Sequence, residues 1–212
     1  MRIRRIILTM AATFALQLSA FAQEARTILD QTAATLRNSG GIEATFEGTH
    51  FNGKQAAGTA TGRIEVMGDK FKIVSDALTT WFDGHTQWTL MKGSDEVNVS
   101  TPTPSEIQHT NPYSFINIYK QGYTLTRNDA TYKGKTCHEV RMKAQSKSNN
   151  IQLLIVTIDK TTHLPLSIRL KDHKGQWTRI RVTGVRTHRK WGVSNFRYDA
   201  KQHPGVEVID LR

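Results

Sequence analysis

Residues 25–47 read ARTILDQTAATLRNSGGIEATFE, and the hydrophobic period changes in the middle of this stretch. Up to Asn38 the apolar side chains recur at spacings of three and four, as on one face of an α-helix. After Gly40 and Gly41 they alternate with polar ones, as in a half-buried β-strand. The change predicts an amphipathic helix over residues 24–38 that leads directly into a sheet.

The same alternation continues through most of the chain, interrupted by short turns. Asp83-Gly84, between two aromatic runs, predicts a type I′ hairpin. A second helix is predicted from Asn111 to Gly122, because Asn111 can cap it, Pro112 suits its first turn and Gly122 can end it. The predicted strands lie at or near residues 42–47, 58–66, 71–73, 81–82, 87–90, 96–99, 123–126, 136–142, 151–158, 164–170, 177–185 and 193–198. The pattern predicts roughly ten antiparallel strands and two helices.

These elements predict a mainly β (α+β) fold. An antiparallel sheet must hide one face, so we expect a strongly curved sheet, or incomplete β-barrel, with two or more helices covering its concave face. Two helices are too few to cover so wide a sheet, which predicts an apolar hollow of lipid size. The alternative is that side chains fill this space completely. The expected lipid-binding residues are Phe46, Ile64, Val66, Phe71, Ile73, Trp88, Leu90, Phe115, Ile116 and Ile118.

The first residues have the features of a secretory signal peptide. Three arginines precede an apolar run from Ile6 to Leu18, and Ala20-Phe21-Ala22 supplies a cleavage site. We expect a signal peptide at 1–22 and a single, exported mature domain at 23–212. Losing three arginines lowers the formal charge from +11 to +8. Export argues against nucleic acid as a partner, and leaves transient contact with an anionic membrane surface, an acidic protein partner, or simple solubility charge.

Titratable residues give little sign of catalysis. Cys137 is the only cysteine, so no intrachain disulfide can form, and a buried inert thiol is a better interpretation than a nucleophile. Asp83 and His85 flank Gly84 in the predicted hairpin, where Asp83 would serve the turn. None of the eight histidines is spaced as a metal ligand, and we expect no metal, no cofactor and no enzymatic activity. An exported enzyme using His85 or Cys137 is the rival hypothesis.

Three motifs, in their order along the chain, carry a resemblance to a known family. They are WFDGHTQW at residues 81–88, NPYSF at 111–115 and HPGVEVID at 203–210, following the signal peptide and the amphipathic helix. In this order the chain resembles the LolA-type periplasmic outer-membrane lipoprotein carriers across the whole mature sequence. One departure is Met67-Gly68-Asp69, where many members of that family carry a basic residue that latches the lid helices; this suits a divergent branch such as that of Bacteroidetes-like bacteria.

The resemblance implies a periplasmic location, a function and its partners. The hollow would take up the acyl chains of lipoproteins released by an inner-membrane transporter, and a monomeric carrier would deliver them to an acceptor at the outer membrane. A carrier or sensor of another lipid on the same half-barrel is the alternative.

Overall fold

The computed structural model describes residues 22–103, 106–107, 118–120 and 122–212. Within these ranges a helix, α1, covers residues 22–38 and a sheet of twelve strands follows it. The strands are β1 Gly41–Asn52, β2 Gln55–Met67, β3 Lys70–Ser75, β4 Leu78–Phe82, β5 Gln87–Met91, β6 Glu96–Ser100, β7 Tyr123–Tyr132, β8 Lys135–Ala144, β9 Ile151–Asp159, β10 Pro165–Asp172, β11 Trp177–Arg189 and β12 Glu207–Asp210. Two short 3-10 helices, Val193–Phe196 and Ala200–Gln202, precede β12.

Helix α1 confirms the helix predicted at residues 24–38. Its buried side chains follow the three- and four-residue spacing of the sequence: Ala25, Ile28, Leu29, Thr32, Ala33 and Leu36. Gly40 ends it with a φ of 65°, a left-handed conformation that glycine adopts at little cost. Gly41 then starts β1 where a β-carbon would lie 2.3 Å from the Arg189 carbonyl oxygen, so the helix-to-sheet junction requires glycine.

The strands form one open, curved sheet in the order β12-β6-β5-β4-β3-β2-β1-β11-β10-β9-β8-β7. All neighbours are antiparallel except β12 and β6, which run parallel. The two halves of the chain meet at β1 and β11, where Phe46 pairs with Val182. Strands β6 and β7, which follow one another in the chain, lie at or near opposite edges of this sheet.

The pairing registers divide the side chains between two faces. The inner face packs with α1 into one hydrophobic cluster, and its strand residues include Ala44, Ile64 and Phe71. Val140, Val156 and Ile168 extend this cluster on β8, β9 and β10. The outer face between β8 and β2 is charged, since Glu139 meets Arg169, Glu47 meets Arg181, and Glu65 meets Arg63. This mainly β architecture agrees with the sequence-based prediction.

The expectation of two or more helices is not matched, because the described residues carry the one helix α1. The predicted helix from Asn111 to Gly122 lies mostly outside them. Ile118 and Tyr119, at its end, are described and buried in the cluster with α1. The predicted signal peptide also lies outside the described residues except for Ala22, which belongs to α1.

The strand predicted at residues 193–198 is wrong. Val193–Phe196 is a 3-10 helix in which Val193 is 49% exposed and Phe196 is fully buried. The Asn195 side chain donates a 2.7 Å hydrogen bond to the buried Glu65 carboxylate on β2. Side-chain contacts with the outer face therefore determine this segment more than its alternating sequence does. The last strand, β12, lies within the 203–210 motif and was not predicted as a strand.

Candidate functional site

The inner face, where it packs with α1, is the candidate site, and six of the ten expected lipid-binding residues lie in or against the hydrophobic cluster there. Ile64, Phe71 and Ile118 are buried in the cluster with α1, and the half-buried Phe46, Val66 and Ile73 pack against that cluster. Phe115 and Ile116 lie outside the described residues. The structure therefore brings together every expected residue from β1, β2 and β3.

Trp88 and Leu90 were predicted on the wrong face. Phe82, on the inner face, pairs with Phe71 and with Gln87, so Trp88 lies beside Trp81 on the outer face. Leu90 also lies on that face, opposite Val97. Apolar residues occur on both faces of this part of the sheet because the C-terminal segment packs against the outer one. Alternation alone could not show which face was inner.

Sequence reasoning missed the contribution of the second half of the chain. On β10 and β11 the half-buried side chains Leu170, Ile180 and Val182 pack against the inner cluster. Val182 pairs directly with Phe46 across the junction of β1 and β11. The signal was available, because the strands predicted at residues 164–170 and 177–185 alternate as regularly as those of the first half.

Phe46, Leu170, Ile180 and Val182 form a half-buried surface that we call the apolar strip. Small residues separate its side chains, since Gly48 pairs with Ile180 on one side and Ala60 on the other. A β-carbon at Gly48 would have the Ala60 carbonyl oxygen, 3.8 Å away, as its nearest neighbour. The glycine therefore leaves room above the sheet beside apolar side chains, which suits a flexible hydrocarbon chain.

Polar contacts hold the borders of this space. Tyr119, at the end of the connection from β6 to β7, donates its hydroxyl hydrogen bond to the Asp30 carboxylate on α1, and the Arg26 guanidinium lies 5.7 Å from the Tyr119 ring centre. Burial, and then the Asp30 carboxylate, raise the pKa of Tyr119 to about 12. Arg127 on β7 forms a 2.6 Å ion pair with Glu24 near the start of α1.

The residues considered for catalysis do not form a reacting set. Asp83 Oδ1 accepts hydrogen bonds from the backbone N–H groups of His85 and Thr86, as expected of a turn residue, and its Oδ2 accepts one from Arg197. Burial opposes ionisation, but the Thr86, His85 and Arg197 hydrogen bonds outweigh it and lower the pKa of Asp83. The hairpin has a four-residue loop from Asp83 to Thr86, so the predicted two-residue type I′ turn is wrong.

Cys137 lies far from this hairpin, on β8, and is fully buried. Its burial, and then the nearby Asp159 carboxylate, raise the pKa of the thiol, which keeps it protonated and unreactive. Within the described ranges no three His, Cys, Asp or Glu side chains are grouped to hold a metal ion. No helix among the residues searched is long and apolar enough to cross a membrane.

Comparison with known structures gives the same architecture. An uncharacterised conserved protein from Thermus thermophilus aligns over 88% of this chain and 99% of its own, with a TM-score of 0.61 and 14% identity. A DUF1329 family protein from Desulfovibrio piger covers 84% and 98%, with a TM-score of 0.50 and 11% identity. A putative outer membrane lipoprotein-sorting protein domain from Vibrio parahaemolyticus covers 83% and 97%, with a TM-score of 0.48 and 14% identity. At these identities the likeness to the first two structures concerns the fold alone.

The sequence itself identifies the family. No curated protein sequence matches this chain significantly. The family model described as outer membrane lipoprotein carrier protein LolA matches residues 12–176, which is more than three quarters of the chain. The match includes α1, strands β1 to β10 and, of the apolar strip, Phe46 and Leu170. The chain therefore belongs to the LolA family of outer membrane lipoprotein carrier proteins.

Proposed function

We propose that this protein is a periplasmic carrier that holds the acyl chains of lipoproteins between α1 and the inner face of its sheet. The observation that carries the proposal is the apolar strip, whose side chains stay half-buried beside the open position at Gly48. A sealed core would bury these side chains fully, as it does Phe71 and Val156 on the same face.

The energetics suit reversible binding of a long chain. Burying a methylene group contributes about 0.8 kcal/mol, so full enclosure of a lipoprotein anchor would make release very slow. An open sheet, whose apolar strip stays half-buried beside α1, limits that enclosure. Release then requires no unfolding of the domain, because part of the bound chain stays accessible.

Acylated lipoproteins are the proposed cargo, taken from an inner-membrane lipoprotein-releasing transporter and passed to an outer-membrane acceptor. Handover needs no chemical energy at the carrier, because tighter binding by the acceptor is enough to drive it. Each difference of about 1.4 kcal/mol in binding free energy shifts the equilibrium of the cargo tenfold towards the acceptor. The carrier would act without enzymatic activity, metal or cofactor. The basic latch residue of the family is absent at Met67-Gly68-Asp69. In its place, the Tyr119 hydrogen bond to Asp30 would fasten the end of the β6–β7 connection to α1.

Identification of the bound lipid tests the proposal. The full-length chain is expressed in a bacterium, purified from the periplasmic fraction without detergent, and extracted for mass spectrometry. We expect a mature N-terminus at Gln23 and acylated lipoproteins at near-stoichiometric amounts. Protein recovered only from membranes, or free of any acyl compound, would contradict it.

A second candidate is a carrier or sensor of another lipid on the same fold. The apolar strip favours it equally, because hydrocarbon side chains contact the acyl tail and select no headgroup. Recovery of phospholipid or free fatty acid, without lipoprotein, would support this candidate over lipoprotein transport.

A further inference from the structure

Five lysines lie at one rim of the sheet, where three neighbouring hairpins turn. The turns join β1 to β2, β8 to β9 and β10 to β11, and these strands lie side by side in the order β2-β1-β11-β10-β9-β8. The residues that pair successively across the sheet at the level of these turns are Phe51, Trp177, Lys171, Leu153 and Lys143. We call the five lysines on or beside the turns the lysine rim: Lys54, Lys143, Lys147, Lys171 and Lys174.

The positive charge of the lysine rim is not balanced by ion pairs. Among the described residues, the lysines that pair with carboxylates are Lys70, Lys135 and Lys160, and they lie at or near the turns of the opposite rim. None of the five lysines of the lysine rim has such a partner within the described part of the chain. The two rims therefore differ in charge, and only one presents free ammonium groups to solvent.

The acidic residues closest to the lysine rim are engaged or set back. Asp172, at the end of β10, accepts a 2.8 Å hydrogen bond from the Gln176 backbone N–H within its own turn. Asp76 follows β3, which ends opposite Gly62, and Gly62 pairs with Phe46, five residues before Phe51. At about 3.4 Å per residue, Asp76 is set back by about 17 Å along the strands. The β1–β2 hairpin thus extends well beyond it.

Apolar side chains lie among these lysines on the outer face. Leu153 pairs with Lys143 on one side and Lys171 on the other, and Trp177 lies between Lys171 and Phe51. The three apolar side chains are half-buried and do not belong to the inner hydrophobic cluster. Tryptophan beside lysine is typical of protein surfaces at the boundary between bilayer and water, where the indole ring lies at the level of the headgroups.

The arrangement favours a broad, fluid partner. Lys54, Lys147 and Lys174 are exposed on three separate turns and do not surround a cavity. A lysine ammonium is a compact charge on a flexible stem, unlike the rigid arginine fork that holds one carboxylate or phosphate by two hydrogen bonds. The headgroups of an anionic bilayer can meet several such charges at once, whereas an acidic protein would need carboxylates at matching positions.

We propose that the lysine rim binds the surface of a bilayer that contains anionic phospholipid, with Trp177 and Leu153 at the level of the headgroups. The proposal rests on the proposed carrier function, because a lipoprotein carrier has to meet a membrane to exchange its cargo. Leu170 of the apolar strip is the chain neighbour of Lys171 and lies on the other face of the sheet. Docking at this rim would therefore bring the acyl-binding face close to the bilayer.

Vesicle flotation tests the proposal. The purified protein is mixed with vesicles of phosphatidylcholine alone, or of phosphatidylcholine and phosphatidylglycerol in equal amounts. We expect binding to the mixed vesicles at low ionic strength, and roughly tenfold or weaker binding to phosphatidylcholine alone, since the neutral surface lacks the attracting charge. Binding to the mixed vesicles should fall as salt is added, because salt screens interactions between exposed charges.

A triple variant of the turn lysines locates the binding surface. Lys54→Gln, Lys147→Gln and Lys174→Gln each remove one cation near the bilayer, which should weaken binding about fivefold. The three together should weaken it roughly a hundredfold. These residues are exposed on turns, so the variant should fold as the unmodified protein does.

The matched control removes the same charge elsewhere. Lys133, Lys190 and Lys201 are also exposed, but they lie away from the lysine rim, on the β7–β8 turn, after β11 and in the second 3-10 helix. Changing all three to glutamine should weaken vesicle binding at most about twofold at moderate salt, because charges beyond the screening length contribute little. The comparison separates the lysine rim from the net charge of the protein.

Tryptophan fluorescence reports the apolar part of the contact. The emission of the unmodified protein should shift to shorter wavelength on binding to the mixed vesicles, as the Trp177 indole leaves water. Trp177→Phe should remove most of this shift. Trp88→Phe, on the outer face of β5 far from the lysine rim, should keep it.

Several results would overturn the proposal: no binding to the mixed vesicles, equal binding to phosphatidylcholine alone, or equal losses in the two triple variants. Poly-glutamate that binds more tightly than the vesicles, and depends on the same three turn lysines, would assign the lysine rim to an acidic protein instead. A fluorescent acyl probe is titrated into the same preparations without vesicles. Acyl binding without vesicle binding would refute the docking surface alone, and vesicle binding without acyl binding would refute the carrier function alone.

Discussion

Replacing Gly48 by leucine should separate acyl binding from folding stability. The new side chain would extend from the inner face between Ile180 and Ala60, where a β-carbon has no neighbour closer than 3.8 Å. Leucine would therefore occupy space that we assign to the acyl chain, without forcing the backbone apart. Glycine inside a strand costs about 0.5–1 kcal/mol in stability, so the substitution should maintain or raise the free energy of unfolding.

The expected loss of binding follows from the volume that leucine fills. Its side chain has four carbons and would displace roughly two to four methylenes of the ligand, each contributing about 0.8 kcal/mol. The loss of about 1.6–3.2 kcal/mol corresponds to roughly 10- to 200-fold weaker binding. A fluorescent fatty-acyl probe measures affinity, and thermal and urea unfolding of the same samples measure stability.

Thr59→Leu is the matched control, because it introduces the same side chain on the opposite face. Thr59 is exposed on β2 and pairs with Thr49, beside Gly48 in the sequence. Its substitution should leave probe affinity within about twofold. If Gly48→Leu binds the acyl probe as tightly as the unmodified protein while remaining folded, the apolar strip does not line the acyl site.

Three further predictions concern the contacts around the site. Tyr119→Phe removes the hydroxyl that donates to Asp30; we expect about 1–2 kcal/mol lower stability and faster acyl exchange in stopped-flow experiments, and unchanged exchange would remove this contact from the release step. Cys137 should react with a thiol reagent only as fast as the protein unfolds, because the thiol is buried and its pKa is raised; rapid labelling of the native protein would contradict this. The lowered pKa of Asp83 means that its contribution to stability is present above the ordinary carboxyl pKa of about 4 and is lost as the pH falls through the lower folded value. Acid unfolding curves of Asp83→Asn should therefore show a smaller loss in that range than the unmodified protein, and parallel curves would show that ionised Asp83 does not stabilise the fold.

The helix and most strands could be predicted from the sequence because one face of each is polar. In α1 the three- and four-residue spacing of Ile28, Leu29 and Leu36 corresponds directly to the buried side. In β1 the alternation from Ile42 onwards corresponds to the inner face. Local patterns of this kind require no knowledge of neighbouring strands.

Features that depend on distant packing could not be predicted in the same way. Trp88 and Leu90 lie on the outer face of β5, which belongs to a part of the sheet that is covered on both faces. Their alternation with polar residues does not show which of the two faces they belong to. The 3-10 helix at Val193–Phe196 depends on a hydrogen bond from Asn195 to Glu65, which is remote in sequence. The packing of residues 194–203 near β2, β3 and β4 likewise joins segments that are remote in sequence.

The pairing of β1 with β11 limits how early in synthesis the sheet can be completed. Phe46 cannot pair across to β11 until Val182 has been synthesised, and β6 cannot pair with β12 until residues 207–210 are present. Hairpins from β1 to β6 can form early, but closing the sheet requires contacts across most of the chain, which slows folding. A nascent chain lacking its C-terminal residues would expose the apolar inner face of an unfinished sheet. Such late closure makes arrival of the C-terminal strands the step that commits the protein to its native state.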